Sequence, residues 1–557
     1  MKVTSLKDLD KYDYSILGIG VLLYILIYAV SVISRVESVE FMGIDAHSIV
    51  DSLNTITTYP YYNMGDSYHS KYYGWTYLSL NFVVLMFSKL FGLVNEESFN
   101  IIVRLNLFVI GMLLTITLYT LSRHFFSRTI SACTVLYFLI DPVSSHYFLT
   151  IHPESIGLLL QCVGLIVLLD LSRSKAFSFK KFIFAVILFS LSSLAKQPFF
   201  IVNVSIGLVF FAWLYRDAGY NLQVKDIVKL MICSIVAFLV TFFIIHPYAF
   251  LDYSSFIKAQ SELSSGHSSV EIAEALNTWF NELSNSIVFC LNLLILFSLL
   301  FVRRVHWVYI CSVTITLLIV SLFVYKSRMF ISLVYLYPLY IFAIFNIVYF
   351  FHIVANKISN KTVKQVSLYI VVFFILCNAT SNLTYSVFSA HYRFLTDGLG
   401  TKYITWNYIK SLDENVAVAY SPDVAMPEPY KSNGCHAWQG CADYVNLSDF
   451  KPDVVIFSPE YPHYNFSEYE KFANRDEYKL VKMVKPDFSL DSYNCTNSSR
   501  ISVTEILKDN SFVLNFLNIQ NLIKSSMECV DSYSLMLNNY NTNSISGLPK
   551  YIYIKND

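Results

Sequence analysis

The sequence predicts an α-helical polytopic membrane bundle of about eleven transmembrane helices that ends in a small α/β domain outside the membrane. Three observations carry this expectation. Of 557 residues, 55% are hydrophobic and only 14% charged, with a mean hydropathy of +0.49, which is more apolar surface than a soluble core hides. Apolar runs able to cross roughly 30 Å of hydrocarbon recur from residue 15 to residue 387. After about residue 388 the chain turns polar and rich in Asn and Ser.

The first run, SILGIGVLLYILIYAVSVIS at 15–34, follows Lys2, Lys7 and Lys11 and is not followed by a small-residue cleavage site. It reads as a retained first helix with a cytoplasmic N-terminus. Further runs lie near 76–94, 101–121, 130–149, 156–171, 182–196, 199–215, 228–246, 285–302, 307–324, 330–350 and 366–387. If 76–94 lies along or dips into the outer leaflet, the short loops on the inner side collect the basic residues. These are Arg123 and Arg128; Arg173, Lys175, Lys180 and Lys181; Arg216, Lys225 and Lys229; Arg303 and Arg304; and Lys357, Lys361 and Lys364. A crossing helix at 76–94 would reverse every later loop and turn these clusters outward, against the positive-inside rule. The outer regions are then the loops 35–100, 141–155 and 246–284 and everything after about 388.

Residues 1–390 thus form the membrane module and 391–557 an outer domain. In the outer domain NVAVAYSP (415–422), PDVVIFSP (452–459) and YKLVKMV (478–484) read as strands, and TKYITWNYIKSL (401–412) has helical spacing. Cys133, Cys162, Cys233, Cys290, Cys311 and Cys377 fall in apolar runs, where a thiol behaves as a small hydrophobe. Cys435, Cys441, Cys495 and Cys529 all fall outside, an even number in an oxidising compartment, so disulfides are expected. Three pairings are open, and Cys435 with Cys441 and Cys495 with Cys529 close the shortest loops. None of these cysteines has the C-x-x-C spacing of a zinc site. With a formal net charge of zero and no basic stripe, nucleic acid is not an expected partner.

Candidate chemistry gathers on the predicted outer side. In FMGIDAHSIVDSL (41–53), Asp45 lies just after the first helix. Partial desolvation at a membrane surface raises a carboxyl pKa toward the range useful for taking a proton from a hydroxyl, while Asp is equally suited to cap the amphipathic helix that follows. His47 and Asp51 sit four apart, as an ion pair, a weak metal site or a solvated face. NMGDSYHSKYYGW (63–75) packs Asp66, His69 and Lys71 among tyrosines and glycines, a composition that fits a binding loop or an ordinary turn. LTIHPESIG (149–157) opens a helix with Pro153 and Glu154, residues a helix start prefers, yet it also brings His146, His152 and Glu154 to the same side as Asp45. Lys196 in SLAKQPFF, and Lys326 with Arg328 in VYKSRMF, are outer cations against the positive-inside trend. They either snorkel or meet a lipid phosphate. IIHPYAFLDYSSF (244–256) adds His246 and Asp252. The sequence contains no Walker-type loop, nucleophile elbow or H-E-x-x-H helix, which argues against ATP-driven transport and against those hydrolase classes.

Taken in order, the early outer Asp, YHSKYYGWTYLSLNFVVLMFSKLFG, VRLNLFVIGMLLTITLYTLSRHFFSR, HPESIGLLL, LAKQPFF, HPYAFLDYSSF with its following SSGH, and KSRMFISLVYLYPL resemble the GT-C glycosyltransferases over most of residues 10–390. The nearest group is the bacterial proteins related to protein O-mannosyltransferases (glycosyltransferase family 39) and the aminoarabinose transferase of lipid A. The outer α/β domain is similar to those that end many such proteins.

The resemblance implies inverting transfer of a sugar from a polyprenyl-phosphate donor to an acceptor hydroxyl of a glycan, lipid or protein, on the extracytoplasmic side. Asp45 would be the general base. It further implies an enzyme of the cell envelope, in a bacterial inner membrane with the C-terminal domain in the periplasm. Lys71, Lys196, Lys326 and Arg328 would hold the donor phosphate, and His47, Asp66, His69, His152, Glu154 and His246 would contact substrate. The sequence departs from the family at Ala46, where a Glu often follows the Asp, and at Ser70, where some members carry a carboxylate before the lysine. Asp66 or Glu154 is then the substitute carboxylate, and a divalent metal stays an open cofactor.

The chemistry fits these residue types apart from the resemblance. A phosphate-linked sugar already carries a good leaving group, so a base and a set of cations suffice and no nucleotide site is needed. A transporter or flippase of lipid-linked or small polar substrates is the alternative. It would put ionisable groups near mid-membrane on broken, repeated helices, whereas here they gather at one face and no repeat is visible. A polymerase or ligase of lipid-linked glycans would share the donor and transfer a whole chain.

Overall fold

The computed structural model describes residues 9–32, 74–94, 96–140, 151–174, 176–216, 223–265, 401–420, 435–436, 452–457, 477–484 and 550–556, with a few isolated positions between them. The chain divides into two compact units: Met1–Ala29, Ser48–Leu383 and Ile501–Val513 form one, and Val30–His47, Thr384–Arg500 and Leu514–Asp557 the other.

The described part of the first unit is helical. It contains α1 (Lys11–Val32), α2 (Trp75–Leu90), α3 (Glu96–Arg123), α4 (Arg128–Ile140), α5 (Glu154–Arg173), α6 (Phe179–Ala195), α7 (Gln197–Arg216), α8 (Val224–Ile245), the single turn α9 (Tyr248–Leu251) and α10 (Tyr253–Ser265). Among the described residues five helices are long and apolar enough to cross a membrane: Lys11–Ala29 of α1, Ile101–Arg123 of α3, α5, Pro198–Tyr215 of α7, and α8. The chain is an integral membrane protein. The expected spans from residue 285 onward lie outside the described residues.

Specific contacts fix which helix ends lie together. The helix α1 starts at Asp10, whose carboxylate accepts the backbone N–H groups of Tyr12 and Asp13. One turn in, the buried Asp13 accepts from Tyr119 Oη (2.6 Å), Arg123 Nε (3.0 Å) and Arg128 Nε (3.2 Å). Fifteen residues further along α1, Tyr28 Oη donates to the Arg104 carbonyl (2.7 Å), so α1 and α3 run antiparallel. At the end of α5, Arg173 bonds His124 just beyond α3 (2.6 and 2.8 Å), and α5 is therefore parallel to α3. The helix α6 returns beside α5: Ser192 Oγ donates to the Gly157 carbonyl (2.7 Å). A Cβ on Gly157 would sit 2.7 Å from the Phe199 ring, so this crossing needs glycine. Phe182 of α6 meets Phe211 of α7 (5.9 Å), and Phe200 of α7 meets Phe238 of α8 (5.6 Å), which sets both helices antiparallel to their predecessors. Arg123, Arg128, Arg173, Lys180, Lys181, Arg216, Lys225 and Lys229 consequently collect at one end, the basic end.

The opposite end receives α2. Its first turn is held by Thr76 Oγ1 donating to the Leu191 carbonyl (2.6 Å) and Ser79 Oγ donating to the Ile245 carbonyl (3.2 Å). Its last residue is joined to the start of α3 by residues 91–95, which reach at most about 18 Å. The 28 residues of α3 rise about 42 Å. Both ends of α2 therefore lie at the same end of the bundle, and α2 does not cross it. The helix α2 is preceded by Gly74, whose φ of 83° is a left-handed conformation suited to glycine.

The described second unit is a five-stranded sheet with α11 (Thr401–Lys410) against it. The strands are β1 (Val418–Tyr420), β2 (Cys435–His436), β3 (Val454–Phe457), β4 (Tyr478–Val484) and β5 (Lys550–Lys555), in the order β2-β1-β3-β5-β4. The β2-β1-β3 part is parallel, while β5 pairs antiparallel with both β3 and β4. The central β3 is buried throughout, as a strand covered on both faces should be, and Ile409 of α11 closes on Val418, Val454, Ile456 and Ile552. The edge strand β4 is exposed over its middle and carries Lys479 and Lys482, which discourage further strand pairing.

Candidate functional site

At the end opposite the basic residues, the first turn of α5 and the break between α6 and α7 bring three titratable side chains together. Glu154 begins α5 and is fully buried (0% exposed). Lys196, 7% exposed, donates through Nζ to Glu154 Oε1, and His152 Nδ1 faces Glu154 Oε2. An isolated ionised carboxylate in such surroundings is strongly disfavoured, and the Lys196 ammonium supplies its counter-charge. Lys196 is the extended residue (φ −159°, ψ 146°) between two helices, and this backbone break aims its side chain at α5. Behind it lies a buried amide and hydroxyl chain. Gln161 Nε2 donates to Asn203 Oδ1 (3.0 Å), and Asn203 Nδ2 donates to Ser193 Oγ (3.0 Å) and the Phe189 carbonyl (3.1 Å), which ties α5, α6 and α7 together.

Residues 74–76 join this cluster to α8. A Cβ on Gly74 would lie 3.9 Å from Pro153, beside Glu154; Trp75 stacks on His246 (4.7 Å, 17°) and Phe242 (5.3 Å); and Thr76 bonds α6. His246 caps the end of α8 and is fully buried, and neither ring nitrogen meets a partner among the described residues. Burial pushes its pKa down to about 3, so the ring is neutral at physiological pH. Asp252 plays a different part. Its carboxylate accepts from Ser255 N (3.2 Å), Tyr248 Oη (2.8 Å) and Ser254 Oγ (3.0 Å). Bonds from Ser255 and then Tyr248 hold its pKa at about 2, and the residue caps α10.

Of the candidates read from the sequence, the structure joins His152, Glu154 and Lys196 and places His246 one aromatic stack away from Trp75. Asp45, His47, Asp51, Asp66, His69, Lys71, His146, Lys326 and Arg328 lie outside the described residues. So do Cys441, Cys495 and Cys529 and the side chain of Cys435, whose backbone forms β2; Cys133, Cys162 and Cys233 are free thiols. Among the described residues no three His, Cys, Asp or Glu side chains gather to hold a metal, and both oxygens of Glu154 already face nitrogens. This donor set does not fit a divalent ion at Glu154. Sequence reasoning missed the clamp made by Trp75 and Thr76, the Gln161–Asn203–Ser193 chain and the buried Arg104. The available signal was polar side chains inside apolar runs, in LLLQCVG, FIVNVS and IIVRLNLF.

No protein-family model matches the chain, and no curated protein does. Solved structures do. The apo oligosaccharyltransferase of Archaeoglobus fulgidus superposes with a TM-score of 0.52 at 10% identity, covering 98% of this chain and 89% of that one. The same archaeal protein, AglB, in complex with an inhibitory peptide and a dolichol-phosphate gives 0.49 at 10% identity, over 98% and 88%. ArnT of Cupriavidus metallidurans bound to undecaprenyl phosphate gives 0.47 at 11% identity, over 85% and 96%. These are GT-C glycosyltransferases, the superfamily that the sequence resembles, and at this identity the likeness is one of fold.

Proposed function

We propose that this chain is a GT-C-type glycosyltransferase that moves a sugar from a polyprenyl-phosphate donor to an acceptor hydroxyl of a glycan, lipid or protein on the extracytoplasmic side of the membrane, with inversion. The carrying observation is the buried Glu154, Lys196 and His152 cluster at the end of the helical unit opposite its basic residues. If the basic end faces the cytoplasm, as the positive-inside rule expects, this cluster faces outward, where residues 391–557 and the loop with Asp45 also belong. In a bacterium that places the outer domain in the periplasm, with Cys435, Cys441, Cys495 and Cys529 free to form disulfides.

Asp45 is the general base: it takes the proton of the acceptor hydroxyl as that oxygen bonds to the anomeric carbon. The carbon's bond to the phosphate oxygen breaks, and the electron pair leaves with the lipid phosphate. Lys71, Lys196, Lys326 and Arg328 stabilise the phosphate charge as it develops. Glu154 and His152 orient Lys196, while Asp66, His69, His47 and His246 border the sugar and acceptor.

The test is turnover of labelled polyprenyl-phosphate sugars by the purified full-length protein with candidate acceptors. Asp45→Asn is expected to lower turnover by about 10²–10⁴-fold, the usual contribution of a positioned base. Turnover that survives the substitution removes Asp45 as the base. Movement of the donor across the membrane without product favours transport instead.

A further inference from the structure

The Glu154 site raises the question of how a fully buried carboxylate is kept charged. A metal ion or a fixed amine can do it, whereas a proton would remove the charge altogether, and the three make different proteins. Here the amine is present: Lys196 Nζ sits on Oε1 and His152 Nδ1 faces Oε2.

The backbone that carries Lys196 is held in place by packing. The end of α6 is tied to the first turn of α5 by Ser192 Oγ on the Gly157 carbonyl (2.7 Å), and Phe199, three residues after Lys196, is fully buried against Gly157. The side chain is enclosed as well, Lys196 being 7% exposed, so the ammonium has little room to swing away from Glu154. A tethered charge of this kind competes with dissolved ions at a high effective concentration. A divalent ion that took the carboxylate would also strand an ammonium 7% exposed beside it.

We infer that Lys196 is the resident counter-cation of Glu154 and excludes divalent metal from this carboxylate. The inference rests on the proposed transferase reading for its meaning, that lysine does the electrostatic work a metal at Glu154 would do. Its test does not use transfer.

Uptake of Mn²⁺ by the detergent-purified full-length protein is followed from the loss of the free-ion electron paramagnetic resonance signal. Wild type and Glu154→Gln are expected to take up the same amount, because Glu154 binds none. Lys196→Met is expected to gain one equivalent, bound at least tenfold more tightly than anything in wild type, and Lys196→Met/Glu154→Gln to lose it again. Lys196→Arg, which keeps the charge, gains none. A wild-type equivalent that vanishes in Glu154→Gln overturns the inference, as does a Lys196→Met protein that keeps its cooperative thermal transition and gains no site. Should Lys196→Met fail to fold, the comparison of wild type with Glu154→Gln still decides. Failure of sugar transfer would leave the Mn²⁺ result standing.

Discussion

The two ends of the helical unit solve the same problem, a carboxylate on an apolar helix, in opposite ways. At the basic end Asp13 is shared among Tyr119, Arg123 and Arg128, and the Arg128 side chain is 35% exposed with Asp10 beside it at 51%. Asp13 itself is buried, but positive charge around it is in excess and its partner Arg128 opens to water, where it is screened. At the other end Glu154 has one lysine and one histidine, all three enclosed. Water can repair a lost contact at the first end and has little access at the second. A site for charged chemistry profits from the second arrangement, since electrostatic interactions in a low-dielectric enclosure are strong and directional.

Breaking each end separately should expose the contrast. Glu154→Ala leaves Lys196 buried without its carboxylate and is expected to cost about 3–5 kcal/mol. Asp13→Asn, at a carboxylate with a part-exposed partner, should lower the thermal midpoint in detergent by clearly less. Equal losses would mean that the two ends are equally wet. Gly157→Ala probes the packing that holds the enclosure. The new methyl group meets a ring that cannot move aside, for a loss of about 1–3 kcal/mol by the same measurement.

The smallest effect is a pH dependence at His246. Its folded pKa, about 3, lies below the ordinary imidazole value of 6.5, so the unfolded chain binds a proton that the native state refuses. The stability this contributes is complete above pH 6.5 and is lost as the pH falls toward 3. Between pH 7.5 and 5.5 the loss is about 1.4 kcal/mol. His246→Phe, which keeps the aromatic stack on Trp75, should lack this share of the acid sensitivity in thermal scans at the two pH values.

Much of this was legible in local sequence. The run at 156–171 became α5, YKLVKMV became β4, and the helical spacing at 401–412 became α11, because hydrophobic period and chain length act locally. The strand β5 was missed although KYIYIK alternates as strands do; it follows a polar stretch, and its pairing with β3 joins residues about a hundred apart. Lys196 stood out as a cation in apolar sequence, but its partner 42 residues earlier had an adequate local explanation as a helix-start residue. Trp75 and Thr76 gave no local sign of the contacts they make with α8 and α6.

The sequence by itself determined which segments are helical and apolar and where positive charge collects, since these follow from composition within a few turns of chain. Only the tertiary structure decided that Trp75 and Thr76 clamp α2 to α8 and α6, and that Lys196 meets Glu154. Both depend on side chains meeting across helices, where desolvation makes a pairing compulsory that no neighbour in the chain specifies.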